Sequence, residues 1–223
     1  SNKTLNTTLN NTLNKTLNNT LHQTLNKTLN KIPIWCIYII GMFPFLIILY
    51  LLFNFKLGVD PLKTLEHQLG QWGLKFLILT LLITPIRSFF KINLIKYRRA
   101  LGLLSFIYIC LHLSTWIFLD LQFRWDEIVK AIVKKPFITI GMAGFLLMIP
   151  LALTSNNFAI RILKRNWKLL HKLIYLVVFL GALHYLLLVK SWPLEPIIYM
   201  CIVIFLLIIR LFPKIKILSN VKF

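Results

Sequence analysis

Three histidines in apolar surroundings are the residues of this sequence best suited to carry chemistry. His112 lies in one long apolar stretch, and His171 and His184 lie thirteen residues apart in another. Ionisable side chains are costly in lipid and usually mark a functional site there. Imidazole is a common ligand of iron, and haem iron can take a protein ligand on each side of the porphyrin. The three side chains are therefore candidate ligands of haem iron.

The position of each histidine along its helix predicts which of them can meet. His112 lies thirteen residues beyond Arg99, which corresponds to roughly 20 Å of α-helix. His184 lies about 20 Å beyond His171 on one helix, so His171 is expected near the cytoplasmic edge of the membrane. His112 and His184 are then level with each other in the outer half. This matched depth predicts that they ligate one haem iron from opposite faces.

His171 has no evident partner. Thirteen positions turn an α-helix by about 220°, so His171 and His184 do not share a face. Fourteen residues before His112, where a second histidine would complete an inner pair, the chain has Arg98. We therefore expect one bis-histidine haem, with His171 as a ligand of a second site or a neighbour of a cofactor. The alternative for each histidine is a hydrogen bond to an adjacent helix without any ligand role.

The elements that position these histidines are predicted to be transmembrane helices. Of the 223 residues, 58% are hydrophobic and the mean hydropathy is +0.76, whereas soluble domains contain about 45–50% apolar residues. The excess forms blocks of the length that crosses a bilayer, about 20 residues. The sequence therefore predicts an all-α, polytopic membrane protein with a six-helix transmembrane bundle. The six predicted spans cover residues 32–53, 74–90, 100–121, 137–153, 169–189 and 194–211.

The net charge of +20 indicates the orientation of the bundle and not a nucleic-acid partner. Almost every Lys and Arg lies at the edge of an apolar block, and no solvated basic face is evident. The second and fourth loops and the C-terminal end are basic without acids, whereas the first and third loops mix both charges. Cytoplasmic loops carry the excess of Lys and Arg. Both termini are therefore predicted to be cytoplasmic.

The predicted spans form one domain, residues 32–213, between two tails. Residues 4–31 repeat the tetrapeptide Thr-Leu-[Asn/His]-x in seven copies. Because Thr and Asn are poor helix formers, we expect residues 1–31 to be a low-complexity tail, disordered or weakly helical near the membrane. Residues 214–223 are predicted to be a short basic cytoplasmic tail. The three cysteines lie in apolar spans without metal-ligand spacing, and we assign them no function.

Two groups of residues near the ends of the spans have both a functional and a simpler interpretation. His67, in the predicted first exterior loop, could contact a partner protein or a haem propionate, but an interfacial position without a cofactor role is favoured. Arg87, Arg98 and Arg99 could bind the phosphate of FMN or haem propionates. Their simpler role, which we favour, is to fix the membrane orientation.

A series of short motifs accompanies the histidines. They are Gly58-Val59-Asp60-Pro61, Glu66-His67-x-x-Gly70, Leu74-Lys75-Phe76-Leu77, Thr84-Pro85, Arg98-Arg99-x-Leu101-Gly102-Leu103, His112-Leu113, Trp167-x-x-Leu170-His171-x-x-x-Tyr175-Leu176 and His184-Tyr185. In combination they resemble the MsrQ family, the haem-binding membrane subunits of periplasmic methionine-sulfoxide reductase systems. That family is part of the ferric-reductase-like transmembrane group. The resemblance covers roughly residues 35–212.

The resemblance implies a b-type haem subunit of the bacterial inner membrane that takes electrons from the quinone pool, with quinol as the donor. It would deliver them to a periplasmic molybdopterin-containing reductase that repairs oxidised methionines in envelope proteins. The family is also described as binding FMN. Its haem-linked histidines match His112, His171 and His184 here. Oxidases of the wider group have a second inner histidine where Arg98 stands, which argues against two stacked haems.

Two other functions remain open on the sequence alone. One is a ferric reductase or oxidase that relies on a separate flavin-reductase partner. A flavin domain of its own is not expected, because the chain has no Gly-x-Gly-x-x-Gly motif and only the short segment 214–223 follows the last span. The other is a proton or ion transporter that uses the same histidines. An electron-transfer subunit, surrounded by membrane lipids and incomplete as an enzyme alone, is the favoured hypothesis.

Overall fold

The chain folds into a series of α-helices. The structure, a computed structural model, describes residues 2–188 and 193–211, with the side chains of all of these except 2–11, 15 and 211. Regular secondary structure within these residues is helical, which confirms the predicted all-α membrane fold. The predicted end of the fifth span at residue 189 and the tail 214–223 lie outside the described residues. The helices are α1 Asn2–Lys31, α2 Trp35–Phe53, α3 Pro61–Phe90, α4 Arg98–Ser114, α5 Trp125–Lys134, α6 Pro136–Leu153, α7 Asn157–Leu170, α8 Ile174–Leu188 and α9 Leu194–Leu211.

Several helical segments are long and apolar enough to cross a membrane, so the chain is a multi-pass membrane protein. In the described part of the chain there are five: Trp35–Phe53, Pro61–Phe90, Ile95–Asp120, Pro136–Leu153 and Asn157–Leu188. The sixth predicted span coincides with α9, which packs against α8 and buries Val203 and Leu206. The count of six spans and the cytoplasmic location of the termini stay predictions.

Helix α3 begins thirteen residues before the predicted start of the second span. Asp60 caps its first turn, because the carboxylate accepts a hydrogen bond from the Lys63 N–H at 3.2 Å. Pro61 follows at the first helical position, which suits its fixed φ. The hydropathy pattern detected only the apolar part of this helix. His67 therefore lies in the first turns of α3, on the stretch from Pro61 to Leu69 that precedes the predicted second span.

Small residues bring α3 and α4 together. The Ser105 hydroxyl donates to the Gly73 carbonyl at 2.7 Å. A Cβ atom added at Gly73 would lie 2.5 Å from the Cδ1 atom of Ile109, so the Ile109 side chain would have to move. Small interface residues are a common way for membrane helices to pack closely. The contact fixes α4, which carries His112, against the first half of α3.

Helix α2 is joined to α4 by a side chain inserted into its backbone. The Tyr108 hydroxyl donates to the Gly41 carbonyl at 2.7 Å and accepts from the Phe45 N–H at 3.0 Å. These two backbone groups would otherwise bond to each other in a regular helix. Pro44 lies beside the insertion and cannot donate a hydrogen bond of its own. The hydroxyl therefore satisfies the backbone where α2 is interrupted.

The fifth span bends before it enters the bundle. Asn156 caps α7 by accepting a hydrogen bond from the Ala159 N–H at 2.7 Å. At Lys164 the backbone leaves helical geometry, with φ 45° and ψ −115°. A short 3₁₀ turn, His171–Leu173, then leads into α8. The predicted start at Leu169 therefore lies inside a longer helical segment.

The tetrapeptide repeat forms helix α1. Of the two conformations expected for it, disordered or weakly helical, the structure shows the helical one. Its C-terminal part docks on the segment between α3 and α4. The Asn26 side chain donates to the Lys91 carbonyl at 3.0 Å and accepts from the Asn93 N–H at 2.8 Å. The Tyr97 hydroxyl donates to the Leu29 carbonyl at 2.6 Å. Tertiary hydrogen bonds thus supplement the weak helix propensity of the repeat.

The two ends of the bundle differ in charge. All six acidic residues lie at one end, which we call the acidic end, and a 2.7 Å hydrogen bond from Gln71 to Tyr185 joins α3 and α8 there. The opposite end, which we call the basic end, holds the start of α4 and the ends of α3 and α9. The acidic residues are Asp60, Glu66, Asp120, Asp126, Glu127 and Glu195.

Candidate functional site

The structure brings His112 of α4 and His184 of α8 together inside the acidic half of the bundle. Their ring centroids lie 6.3 Å apart, and the ring planes are inclined by 73°. The depth argument from the sequence led to the same pair. Both side chains are partly buried and line one cavity.

Each ring is oriented by a backbone carbonyl from a neighbouring helix. His112 Nδ1 lies 2.9 Å from the Glu66 carbonyl oxygen of α3, and His184 Nδ1 lies 2.6 Å from the Phe137 carbonyl oxygen of α6. A carbonyl can only accept, so Nδ1 must carry the proton in each ring. The lone pair is then on Nε2. This is the tautomer that metal-binding imidazoles use when a second group orients them.

A glycine makes room for each ring. A Cβ atom at Gly70 would lie 3.1 Å from His112 Nδ1, and one at Gly141 would lie 2.7 Å from His184 Nδ1. Each glycine stands four residues after the carbonyl that orients the ring, Glu66 in α3 and Phe137 in α6. A side chain at Gly141 would push His184 off its carbonyl, and one at Gly70 would require His112 to move by a few tenths of an ångström. The two histidines are thus held in equivalent ways by two different helices.

The cavity that the two histidines share has a volume of about 290 Å³. Apolar side chains form its inner wall, among them Leu77, Met148 and Val177. A ring of polar residues lies where it approaches the acidic end: Lys63, Glu66, His67, Asp120 and Lys135. The site is therefore an apolar chamber with two inward imidazoles and a charged rim.

The spacing of the rings fits two ligands on a single metal ion. A metal–nitrogen bond to imidazole is about 2 Å long, and the distance from Nε2 to the ring centroid adds about 1.1 Å. Two imidazoles on opposite sides of one metal therefore have centroids about 6.2 Å apart. The observed 6.3 Å matches this value. The residues present fit a haem held by His112 and His184.

His171 has a different environment. Its ring stacks on Trp167 with centroids 3.9 Å apart, and its Nδ1 lies 3.1 Å from the Trp167 carbonyl oxygen of its own helical segment. Nε2 is 3.5 Å from the Ser155 hydroxyl. Within the part of the chain that the structure describes, no histidine faces it. The structure therefore does not pair His171 with either of the other two.

The arginines named from the sequence are separated at the basic end. Arg99 donates to the Asn157 side chain at 3.1 Å, joining α4 to α7. Arg98 is partly buried at the start of α4. Arg87 is exposed on the last turn of α3. None of the three lines the cavity of His112 and His184.

Known proteins resemble this chain in sequence. A haem-binding subunit named MsrQ, of the protein-methionine-sulfoxide reductase of Brucella ovis, is 52% identical over 178 residues, which is 80% of this chain and 81% of that protein. The MsrQ subunit of Brucella anthropi is 51% identical over the same shares of both chains. The chain belongs to the MsrQ family.

A match to a protein-family model agrees with membership of the MsrQ family. Residues 69–182 match the family described as ferric reductase like transmembrane component. This range begins one residue before Gly70 and ends two residues before His184. It therefore includes both glycines, His112 and His171. No solved structure gives a significant match.

For this MsrQ-family chain, reasoning from the sequence missed the groups that orient the histidines. Gly70 stands in the motif Glu66-His67-x-x-Gly70, and Gly141 belongs to none of the motifs. A usable signal was present, because each is a glycine inside an apolar helix, where glycine usually marks a close approach. The two carbonyl acceptors left no signal in the sequence, since every residue has one.

Proposed function

We propose that this chain is a transmembrane electron-transfer subunit that holds b-type haem between His112 and His184. The observation that carries the proposal is the pair of imidazoles 6.3 Å apart, each with Nδ1 on a backbone carbonyl. Both rings are thereby oriented before any ligand binds. The name of the related MsrQ subunits, which describes them as haem-binding, supports the same cofactor.

The protein residues then have defined tasks. A bound haem supplies one-electron chemistry. His112 and His184 would hold the haem iron, and the carbonyls of Glu66 and Phe137, which accept from Nδ1, would strengthen the basicity of the two rings. The apolar wall of the cavity excludes water and so influences the reduction potential. His171 would act as a ligand at a second cofactor site or lie next to a cofactor without binding it.

The direction of electron flow is part of the proposal. Electrons enter from the quinone pool of the bacterial inner membrane and leave toward a periplasmic methionine-sulfoxide reductase that carries molybdopterin. The rim of the cavity at the acidic end, predicted to be exterior, is the natural exit side. The relatives are subunits of a protein-methionine-sulfoxide reductase. FMN, expected from the family resemblance, is proposed as a further cofactor.

A second electron donor has support of its own. The match to ferric reductase like transmembrane components favours a separate flavin reductase that delivers electrons at the cytoplasmic side. The two donors can be compared directly in proteoliposomes. Reduction of the haem by a quinol analogue alone would favour the quinone pool, and reduction only with NADH, flavin and a flavin reductase would favour the second donor.

A dithionite-reduced-minus-oxidised spectrum of the purified protein tests the proposed cofactor. We expect a shifted Soret band and an α-band of b-type haem, with haem extracted in stoichiometric amount. His67→Ala serves as the control, because His67 lines the rim but is exposed and not paired with another ring. Haem-replete protein without these bands would refute the proposal.

A further inference from the structure

Helix α7 joins two membrane spans and is longer than the crossing requires. It follows α6 and leads, through the turn His171–Leu173, into α8. The whole segment Asn157–Leu188 has 32 residues, whereas about 20 are enough to cross the hydrocarbon core. The backbone leaves helical geometry at Lys164, inside α7. Because α7 also carries cations, which are costly in hydrocarbon, it belongs at the membrane surface.

The inner side of α7 is attached to the bundle at its basic end. Arg99 of α4 donates to the Asn157 side chain at 3.1 Å, and the Trp167 indole Nε1 donates to the Thr154 carbonyl at 2.9 Å. The partly buried residues of α7 recur every three or four positions, so they form one face. They are Ala159, Leu163, Trp167 and Leu170.

The outer side of α7 combines cations with apolar side chains, and all of them are exposed. The cations follow the spacing i, i+3, i+4 and i+7, and the helix contains no acidic residue. The cations are Arg161, Lys164, Arg165 and Lys168, and the exposed apolar residues are Phe158, Ile160, Ile162 and Leu169. The outer side is therefore both strongly basic and apolar.

Helix α5 is the corresponding element at the acidic end, and it has no such excess of charge. It also joins two spans, and it exposes an apolar stripe at four-residue spacing. The stripe consists of Trp125, Val129 and Val133, and the charged residues are Asp126, Glu127, Lys130 and Lys134. Two acids thus balance two lysines. Both helices have the pattern of helices that lie in a membrane interface, but of the two only α7 is basic.

We propose that the outer side of α7 binds the headgroups of anionic phospholipids in the leaflet at the basic end of the bundle. Cations on an amphipathic helix attract anionic lipids, and the apolar side chains beside them insert below the headgroups. A soluble anion would neutralise the cations but would leave Phe158, Ile162 and Leu169 in water. A lipid surface covers both kinds of side chain. The inference does not depend on the haem proposed above.

Native mass spectrometry of the full-length protein tests this lipid preference. The protein is released from bilayers that contain equal amounts of phosphatidylglycerol, which is anionic, and phosphatidylethanolamine, which is zwitterionic. We expect an excess of phosphatidylglycerol among the retained lipids. In Lys164→Gln/Lys168→Gln the excess should fall roughly fivefold or more, since each cation near an anionic surface contributes roughly that factor. Equal retention of both lipids by the unaltered protein would refute the proposal.

The matched control is Lys130→Gln/Lys134→Gln, which removes two exposed lysines at the same spacing from α5. It should leave the excess of phosphatidylglycerol unchanged. An equal loss in the two variants would place the preference elsewhere than on α7. An excess that persists in both would mean that the cations of α7 only set the membrane orientation. Either result would overturn the proposal.

Two further measurements separate misfolding and a soluble ligand from the proposed lipid. Elution as a single species and a C-terminal reporter in its original compartment show that a variant is folded and correctly oriented. If the lysine variant fails either check, Arg161→Gln/Arg165→Gln takes its place, and an unchanged excess there contradicts the proposal. Inorganic phosphate should displace no more phosphatidylglycerol than chloride does at equal ionic strength. Selective displacement by phosphate would indicate a site for a free anion and overturn the lipid proposal.

Discussion

His184 and His171 lie on one helical segment, yet the structure holds them in opposite ways. His184 is oriented by a carbonyl of another helix, next to a glycine, and faces a second imidazole at 6.3 Å. His171 is oriented by a carbonyl of its own segment and stacks on Trp167 of that segment. The first arrangement fixes a ring relative to the bundle, and the second fixes it only relative to its own helix.

The difference shows what an intramembrane histidine needs to act as half of a ligand pair. Depth in the membrane brings it level with a partner. An acceptor on a neighbouring helix then orients the ring by holding Nδ1, and a glycine allows the approach. His112 and His184 meet all three conditions, whereas His171 has neither a facing imidazole nor such a glycine among the described residues.

The largest expected effect is on haem content, and it should distinguish substitution of His184 from substitution of His171. His184→Ala should abolish the haem proposed between α4 and α8, as should His112→Ala, because each removes one of the two proposed ligands of the iron. His171→Ala should retain that haem. Haem content per protein, measured after extraction from matched preparations, checks the contrast. Equal loss in the His171 and His184 variants would remove the distinction between the two sites.

Gly141→Ala should have the next largest effect. The new methyl group would lie 2.7 Å from His184 Nδ1, so the ring must leave the Phe137 carbonyl. Overpacking of this kind costs about 1–3 kcal/mol, which should appear as reduced haem occupancy and a shifted potential. Gly144→Ala is the control, since its nearest contact would be an ordinary 3.5 Å to Leu180. Similar haem occupancy in the two variants would contradict the role of Gly141.

Gly70→Ala should have a smaller effect of the same kind. Its methyl group would lie 3.1 Å from His112 Nδ1, so a displacement of a few tenths of an ångström relieves the contact. We expect a haem that still binds but has a measurably changed potential in a redox titration. A loss of haem greater than that of the Gly141 variant would reverse the order that these distances predict.

The smallest effect is expected at the partner of His171. Ser155→Ala removes a hydroxyl 3.5 Å from His171 Nε2, at the limit of a hydrogen bond. The spectrum of the haem between His112 and His184 should be unchanged. A change in that spectrum would show that the two regions are coupled through α8.

The sequence predicted the parts of the fold that depend on apolar composition. Runs of Leu, Ile and Phe marked the membrane helices, and helical rise placed His112 and His184 at one depth. The start of α3 was missed because Asp60 and Pro61 determine it through capping, which hydropathy does not detect. The bend at Lys164 was missed for a similar reason, since it arises from backbone conformation.

The proximity of His112 and His184 was predictable from the sequence, but the groups that orient their rings were not. Which carbonyl orients a ring depends on which helices are neighbours, and that is a property of packing. The hydrogen bond from Arg210 to the Tyr175 hydroxyl was equally hidden, because the two residues lie on different helices. Membership of the MsrQ family identifies relatives but does not reveal these contacts.

Electron paramagnetic resonance of the oxidised protein tests the central claim most directly. Two axial imidazoles predict a low-spin ferric haem, and ring planes inclined by 73° predict the strongly anisotropic form of that signal. In His184→Gly we expect this signal to be lost together with the haem, and addition of haem with free imidazole should restore it, because imidazole can occupy the place of the missing ring. A low-spin signal that is unchanged in both the His112 and His184 variants would contradict the central claim.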